Sequence, residues 1–367
     1  MTGRERWIGW RNRLLADPAF QRFAARFPLT RPFARWRARA IFDLVAGFTY
    51  SQTLAACIQT GLLQHLDPEP LTTDAIARQI NLPADGADRL LRAARALKLV
   101  EQLRDGRWAL GADGAALIGN GGIAEMVAHH HLLYADLADP VGLLRRGGGG
   151  GQLSDYWRYA ERSGQGSSDD VSPYSRLMAA SQPLIAEHVI GAYRFSDHRR
   201  MLDVGGGEGA FIAAVARAVP GLKFGLFDLP AVGDRARAAL NAAGQGDRVT
   251  IHGGNFMADA LPAGHDLITL IRVLHDHDDG PAQNLLRSIF ESLEPGGKLL
   301  IAEPMAETPG AEPAGDAYFG LYLLAMGSGR PRSMAEISGM LRLAGFNQIR
   351  PLRTPMPLTV RAVVATR

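Results

Sequence analysis

Met201-Leu-Asp-Val-Gly-Gly-Gly-Glu-Gly209 carries a short apolar run straight into a glycine-rich turn, and Ala210 to Ala218 then continues with helical spacing. A strand, a tight turn and a helix in that order form the opening unit of a Rossmann-like α/β domain. Glycines at 205, 207 and 209 let the backbone pass close to a ligand, because no Cβ stands in the way. From Arg200 onward, short apolar runs alternate with amphipathic helices, the pattern of a parallel sheet covered on both faces.

A glycine loop also fits a dinucleotide-binding enzyme. Three features favour a methyl donor, S-adenosyl-L-methionine, over that alternative. The spacing is Gly-x-Gly-x-Gly with Asp203 just ahead of it, instead of Gly-x-Gly-x-x-Gly. A second strand ends at Asp228, where a carboxylate can hold a ribose diol. No basic group follows to meet a 2′-phosphate.

Upstream of this domain, residues 40 to 66 read as one core helix, with Ile41, Leu44, Val45, Phe48, Leu54, Ile58 and Leu62 near helical spacing. Thr72-Thr73-Asp74 opens a short helix, Pro83 breaks it, and residues 87 to 97 form a second. With a hairpin around Asp105-Gly106 they outline a winged helix. Such modules often bind DNA, but Arg89, Arg92, Arg95 and Lys98 fall on the polar face of their helix, which reads as a solvated face with no nucleic-acid partner. Residues 123 to 144 give a further helix. Its His129, His130 and His131 point in different directions, so they read as packing or pocket residues and not as a metal site. Glycine-rich stretches at 147–151 and 164–170 follow, then Ser172-Pro173 as a cap and first turn of a linker helix to about residue 193. The expected division is a mostly helical winged-helix dimerisation domain at 1–171, a linker at 172–195 and a catalytic domain at 196–367.

The chain's 367 residues suit two domains, and 47% hydrophobic with 21% charged residues is an ordinary globular balance. The single cysteine, Cys57, leaves no intramolecular disulfide and no cysteine-built zinc site, so a reducing cytosol is the expected compartment. No signal peptide is read at the start, and no run of 18 or more uncharged apolar residues predicts a membrane span. The net charge of +3 hides an asymmetry: residues 1 to 39 hold ten arginines against Glu5 and Asp17. Among them stand Trp7, Trp10, Phe20, Phe23, Phe27, Phe33 and Trp36. This arm reads as an amphipathic segment on an anionic membrane surface, peripheral to the inner membrane, or as a helical arm packed on a dimer partner; nucleic acid is the weaker competitor.

Taken together, the glycine loop, Phe227-Asp-Leu-Pro230, Gly253-Gly-Asn-Phe256, Arg272-Val-Leu-His-Asp276, Pro295-Gly-Gly-Lys298 and Ile301-Ala-Glu-Pro304 resemble the O-methyltransferases of the plant caffeic-acid type and their bacterial relatives. The resemblance covers nearly the whole chain. It implies a homodimer, with Asp203, Gly205 and Gly207 around the methionine part of the cofactor, Asp228 and Leu229 at the ribose, and Asn255 with Phe256 at the adenine. It also implies Arg272 in place of a cofactor-contacting lysine, His275 as general base and Glu303 as the carboxylate that orients it. The chemistry agrees, since a histidine with a pKa near neutrality suits removal of one proton from an acceptor. Two positions depart from the plant pattern. Asn255 stands where many members have aspartate, and Pro331 in Gly329-Arg-Pro-Arg-Ser333 replaces a second carboxylate, which leaves Asp276 as the group that can assist.

Within that family, Trp10-Arg-Asn-Arg-Leu-Leu-Ala-Asp-Pro18, Phe27-Pro-Leu-Thr-Arg-Pro32 and Ala40-Ile-Phe-Asp-Leu-Val-Ala-Gly-Phe-Thr-Tyr-Ser-Gln52 resemble the hydroxycarotenoid O-methyltransferases of purple phototrophic bacteria. These methylate the tertiary hydroxyl of acyclic carotenoids such as demethylspheroidene and hydroxyneurosporene, so the resemblance implies a hydrophobic small-molecule substrate. A bacteriochlorophyll precursor, an anthraquinone or a phenolic is the alternative acceptor. Met178 on the linker helix is expected beside cofactor and substrate. Met305, Phe319, Tyr322, Leu323 and Met326 would supply an apolar, adaptable wall, although each also fits ordinary core packing.

Overall fold

The computed structural model describes residues 2–119, 121–163 and 173–367, without the side chains of residues 158–163 and 173–181. The glycine-rich loop at 164–170, the Ser172 cap and the Met178 side chain lie outside the described residues. The chain divides into two compact units, Met1–Gly119 and Asn120–Arg367.

In the first unit the arginine-rich arm is helical. Thr2 and Glu5 form a reciprocal capping box on Gly3–Ala16, and Asp17 caps Pro18–Arg26, whose proline sits in the first turn where its missing N–H costs nothing. The third helix, Arg31–Gln59, corrects the reading of a single helix over residues 40 to 66 at both ends. It begins earlier because Pro32 suits a first turn, and it stops because Gly61 turns left-handed at φ 67° before the short helix Leu62–Leu66. By length and composition Arg31–Gln59 is apolar enough to cross a membrane, and little of that stretch is buried. Asp43, and Thr49, Ser51, Gln52 and Thr53 after it, break any run that is both uncharged and apolar, which is why the sequence predicted no such segment. Ile41, Phe42, Leu44, Val45 and Phe48 are all exposed on it.

Thr72 accepts a hydrogen bond from the Ala75 amide to cap Thr73–Gln79, and Ala84–Ala96 follows. Strands β1 (Val100–Gln102) and β2 (Trp108–Leu110) pair antiparallel as the wing. Trp108 fills this unit's core with Leu62, Leu63, Ile76 and Leu91, and its indole N–H finds Thr73 at 3.0 Å. Arg89 and Arg92 pair with Asp85 and Asp88 one turn back, at 2.9 and 2.7 Å, as a solvated helix face would.

In the second unit the helix expected at 123–144 is two, Gly121–Asp136 and Pro140–Arg145, because Asp139 caps a new start at Pro140. Helices Gln152–Ser163 and Pro173–Ala192 lead to the sheet. Its strands are β3 (Arg200–Val204), β4 (Lys223–Asp228), β5 (Val249–Gly253), β6 (His265–Ile271), β7 (Leu293–Glu303), β8 (Asn347–Leu352) and β9 (Arg361–Thr366), in the spatial order β5-β4-β3-β6-β7-β9-β8. The first five are parallel, and β9 runs antiparallel to both β7 and β8.

Alternation along β3 and β6 sends Met201 and Leu267 to one face, beside Phe211, Val215 and Leu240. Leu202 and Ile268 go to the other, beside Leu285, Ile289, Ile337 and Leu341. Connections leave β3 and β6 toward opposite edges of the sheet, so a crevice opens above their carboxyl ends.

Candidate active site

A cavity of about 860 Å³ occupies that crevice, within the span of small-molecule sites. Its floor is the glycine loop. Gly205 has φ 70°, and a Cβ there would come within 2.8 Å of Val273, so only glycine leaves the cradle open. Gly209 at φ 80° turns the chain into helix Ala210–Ala218. At the end of β4, the two Asp228 oxygens accept from the amides of Gly207 and Leu229 at 2.8 and 2.7 Å. Burial pushes the pKa of Asp228 up, partly opposed by those amides and by Arg235. Leu229, Phe256 and Arg272 also line the cavity, and the Phe256 ring meets His277 edge to face at 5.4 Å.

Two expected cofactor contacts among the described residues fall outside this lining. Asp203 is 1% exposed under the glycine loop, where it accepts from Thr269 at 2.6 Å. Burial raises its pKa to about 7, so it supports the loop from below. Asn255 is exposed and folds back on its own turn, its side-chain oxygen accepting from the Met257 amide at 2.9 Å. Met178 lies outside the described residues.

His275 sits in the turn just past β6, 4% exposed, with a carboxylate at each ring nitrogen. Nδ1 lies 3.4 Å from Glu303 Oε2, which also accepts from the His275 amide at 3.1 Å. Nε2 lies 3.2 Å from Asp276 Oδ1. Glu303, at the end of β7, is fully buried. Burial pulls the His275 pKa down, but Asp276 and Glu303 outweigh it and the net direction is upward. Asp276 thus stands beside His275, as the group expected to assist where Pro331 replaces a second carboxylate.

The segment around Pro331 holds the His275 turn in another way, which the sequence reading missed. Arg332 is fully buried; its guanidinium donates to the Leu274 carbonyl at 2.9 Å, to the His277 carbonyl at 2.7 Å and to Asp279 at 2.8 and 3.0 Å. The Arg330 amide donates to the His275 carbonyl at 2.9 Å, and a Cβ on Gly329 would strike that same carbonyl. The turn is thus gripped on both sides of His275.

The acceptor wall holds four of its five expected members: Phe319, Tyr322, Leu323 and Met326 line the cavity. Met305 does not. It is 1% exposed and packs in the core beneath the sheet, a correction that follows from β7 carrying it past the cavity into the layer with Ile301 and Ile337. Tyr318, not singled out from sequence, joins the wall. His129 and His130 stand behind it, 2.8 and 2.7 Å from the hydroxyls of Tyr322 and Tyr318, as packing residues outside the lining itself. His131 points away and stays exposed. Among the described residues no cluster of metal-binding side chains is found.

Residues 147–347 match the model of an O-methyltransferase domain, and residues 42–119 that of an O-methyltransferase dimerisation domain. The chain belongs to the O-methyltransferase family and is an S-adenosylmethionine-dependent enzyme. It is 40% identical to a demethylspheroidene O-methyltransferase of Cereibacter sphaeroides, over 97% of this chain and 94% of that one. Against the demethylspheroidene O-methyltransferase of Rhodobacter capsulatus the identity is 39%, over 93% of this chain and 85% of the relative. A solved S-adenosylmethionine-dependent methyltransferase, SibL, superposes with a TM-score of 0.76 at 27% identity, covering 89% of this chain and 98% of its own.

Proposed function

We propose that this enzyme methylates the tertiary hydroxyl of an acyclic hydroxycarotenoid of the demethylspheroidene or hydroxyneurosporene type, a step of carotenoid biosynthesis, with His275 as general base. The observation that carries this reading is the 40% identity, along 97% of the chain, to a protein named for that substrate. Gly205 and Gly207 would cradle S-adenosylmethionine, Asp228, Leu229, Phe256 and Arg272 would hold it, and when bound it would supply an electrophilic methyl group on its sulfonium. What remains for the chain is to align the acceptor and take its proton. A tertiary alcohol is a very weak acid and is not ionised in advance, so the proton leaves as the new carbon–oxygen bond forms. Neutral His275 accepts it through Nε2. The resulting imidazolium then lies between Asp276 and Glu303, two carboxylates that stabilise the charge where it appears. Phe319, Leu323 and Met326 give the apolar wall that a polyene end needs.

The enzyme works as a homodimer through its dimerisation domain, in the cytoplasm and peripheral to the membrane that holds its substrate, with no nucleic-acid partner. Trp7, Trp10, Phe23, Phe33 and Trp36 are exposed on the arm among its ten arginines, the composition of a segment that lies on anionic lipid. The alignment to the C. sphaeroides relative spans 97% of the chain, so it takes in most of this arm, whereas the family's dimerisation model begins at residue 42. Purified enzyme with methyl-labelled cofactor and a panel of acyclic hydroxycarotenoids, bacteriochlorophyllides, anthraquinones and phenols tests the substrate. Label in the carotenoid alcohols is the expected result; label only in ring acceptors would overturn the reading.

A further inference from the structure

Two phenol–imidazole pairs stand in the acceptor wall, and the proton transfer from a simple alcohol uses neither. Tyr322 and His129 are 2.8 Å apart, Tyr318 and His130 2.7 Å, each through the phenol oxygen and Nε2. The two tyrosine rings lie one helical turn apart, 6.0 Å between centroids, and both face the cavity that holds His275 and Asp276. Phe319 stands between them and the base, 6.2 Å from the His275 ring and 5.0 Å from that of Tyr318.

Burial drives the pKa of both imidazoles down, that of His130 to about 4, so near neutral pH each ring keeps one donor and one acceptor nitrogen. A phenol has one donor and two acceptor positions, of which the imidazole uses one and, at Tyr322, the Trp157 indole a second. Beside the apolar side chains of Phe319, Leu323 and Met326, a purely hydrocarbon ligand would leave the remaining positions on the two phenols unmet, at a desolvation cost.

We infer that the Tyr318–His130 and Tyr322–His129 pairs form a second polar subsite, which receives an uncharged oxygen, a ketone or a further hydroxyl, carried by the acceptor close to the hydroxyl that is methylated. This subsite deepens the reading of the acceptor as a carotenoid alcohol but can be judged apart from it. A neutral pair of phenols recognises such an oxygen by donation or acceptance and discriminates against the analogue that lacks it, because the positions left over after the imidazole bonds are then unfilled.

The test uses two acceptor pairs that differ by one oxygen: an acyclic tertiary-hydroxy polyene with and without a ketone on the neighbouring carbon, and catechol against phenol. Affinity for the enzyme loaded with S-adenosylhomocysteine and kcat/KM are measured for the wild type and for the Tyr318→Phe, Tyr322→Phe double variant, with calorimetry of the cofactor reporting that the fold is kept. In whichever pair binds, the wild type is expected to favour the two-oxygen member by about tenfold or more. The double variant is expected to bring that ratio within about twofold of unity. A wild-type ratio near unity, a preference that survives in the double variant, or no binding of any member would overturn the subsite. Binding of the ring pair alone, with the expected ratios, would keep the subsite and overturn the carotenoid reading.

Discussion

At the scale of the residue, the proposed base His275 stands between two carboxylates, and that arrangement has a signed consequence for pH. The base acts when neutral, and its pKa is raised, so kcat/KM is expected to climb with pH through an apparent pKa above the ordinary histidine value of about 6.5. Asp276→Asn removes one of the two raising charges and should move that limb to lower pH while lowering the rate, because the imidazolium loses a partner. A pH profile whose acid limb does not move would exclude Asp276 from the base's surroundings. At the other end of the cavity, Asp228→Ala takes a charged acceptor from the ribose position. Calorimetry should show cofactor affinity weakened by about tenfold or more, from the loss of roughly 1.5 to 3 kcal/mol; unchanged affinity would mean the ribose is held elsewhere. Gly205, Asp228 and His275 were legible because each sits inside a short motif whose local geometry fixes it. Asn255 and Met305 were not, since a turn closed by the Met257 amide and burial under the sheet are decided by packing.

At the scale of the element, the decisive piece is the turn after β6 and the segment that grips it. Arg332 satisfies two main-chain carbonyls on either side of His275 and anchors to Asp279. Arg332→Met leaves those carbonyls unpaired, for an expected stability loss of about 2 to 4 kcal/mol by denaturant unfolding. The loosened turn should also cost about tenfold or more in kcat while cofactor affinity stays within about twofold. As the imidazole drifts from its carboxylates, the acid limb of the pH profile should fall as well. A variant that lost stability but kept kcat and its pH profile would make Arg332 a packing residue only. Sequence spacing revealed a neighbouring element, helix Ala210–Ala218, to the residue, since a glycine turn fixes where that helix starts. It could not reveal the grip, nor the pairing of His129 with Tyr322, because those partners lie 58 and 193 residues apart in the chain.

At the scale of the whole molecule, the chain couples a cofactor-binding sheet to an arm whose arginines and exposed tryptophans suit a lipid surface. Arginines near anionic lipid contribute about 1 kcal/mol each, and the attraction fades as salt shortens the Debye length from about 10 Å at 0.1 M. The full chain is therefore expected to sediment with vesicles containing phosphatidylserine, to release as salt rises, and to bind weakly when Arg4, Arg6, Arg13 and Arg22 are replaced by glutamine. Equal binding by that variant would return the arm to a packing role. The helical arm and the glycine loop both showed in the sequence as composition and motif. The expected boundary near residue 171 stands apart from the division into Met1–Gly119 and Asn120–Arg367, in which helices Gly121–Asp136 and Gln152–Ser163 belong to the second unit.

The central claim is that this fold removes a proton from a weakly acidic alcohol in step with methyl transfer, and it is tested most directly by turnover of an acyclic hydroxycarotenoid by His275→Ala. The expected result is a loss of about a hundredfold or more in kcat with cofactor affinity nearly intact, and a smaller loss for Glu303→Gln, which only orients the ring. Near-normal turnover by His275→Ala on that alcohol would contradict the account.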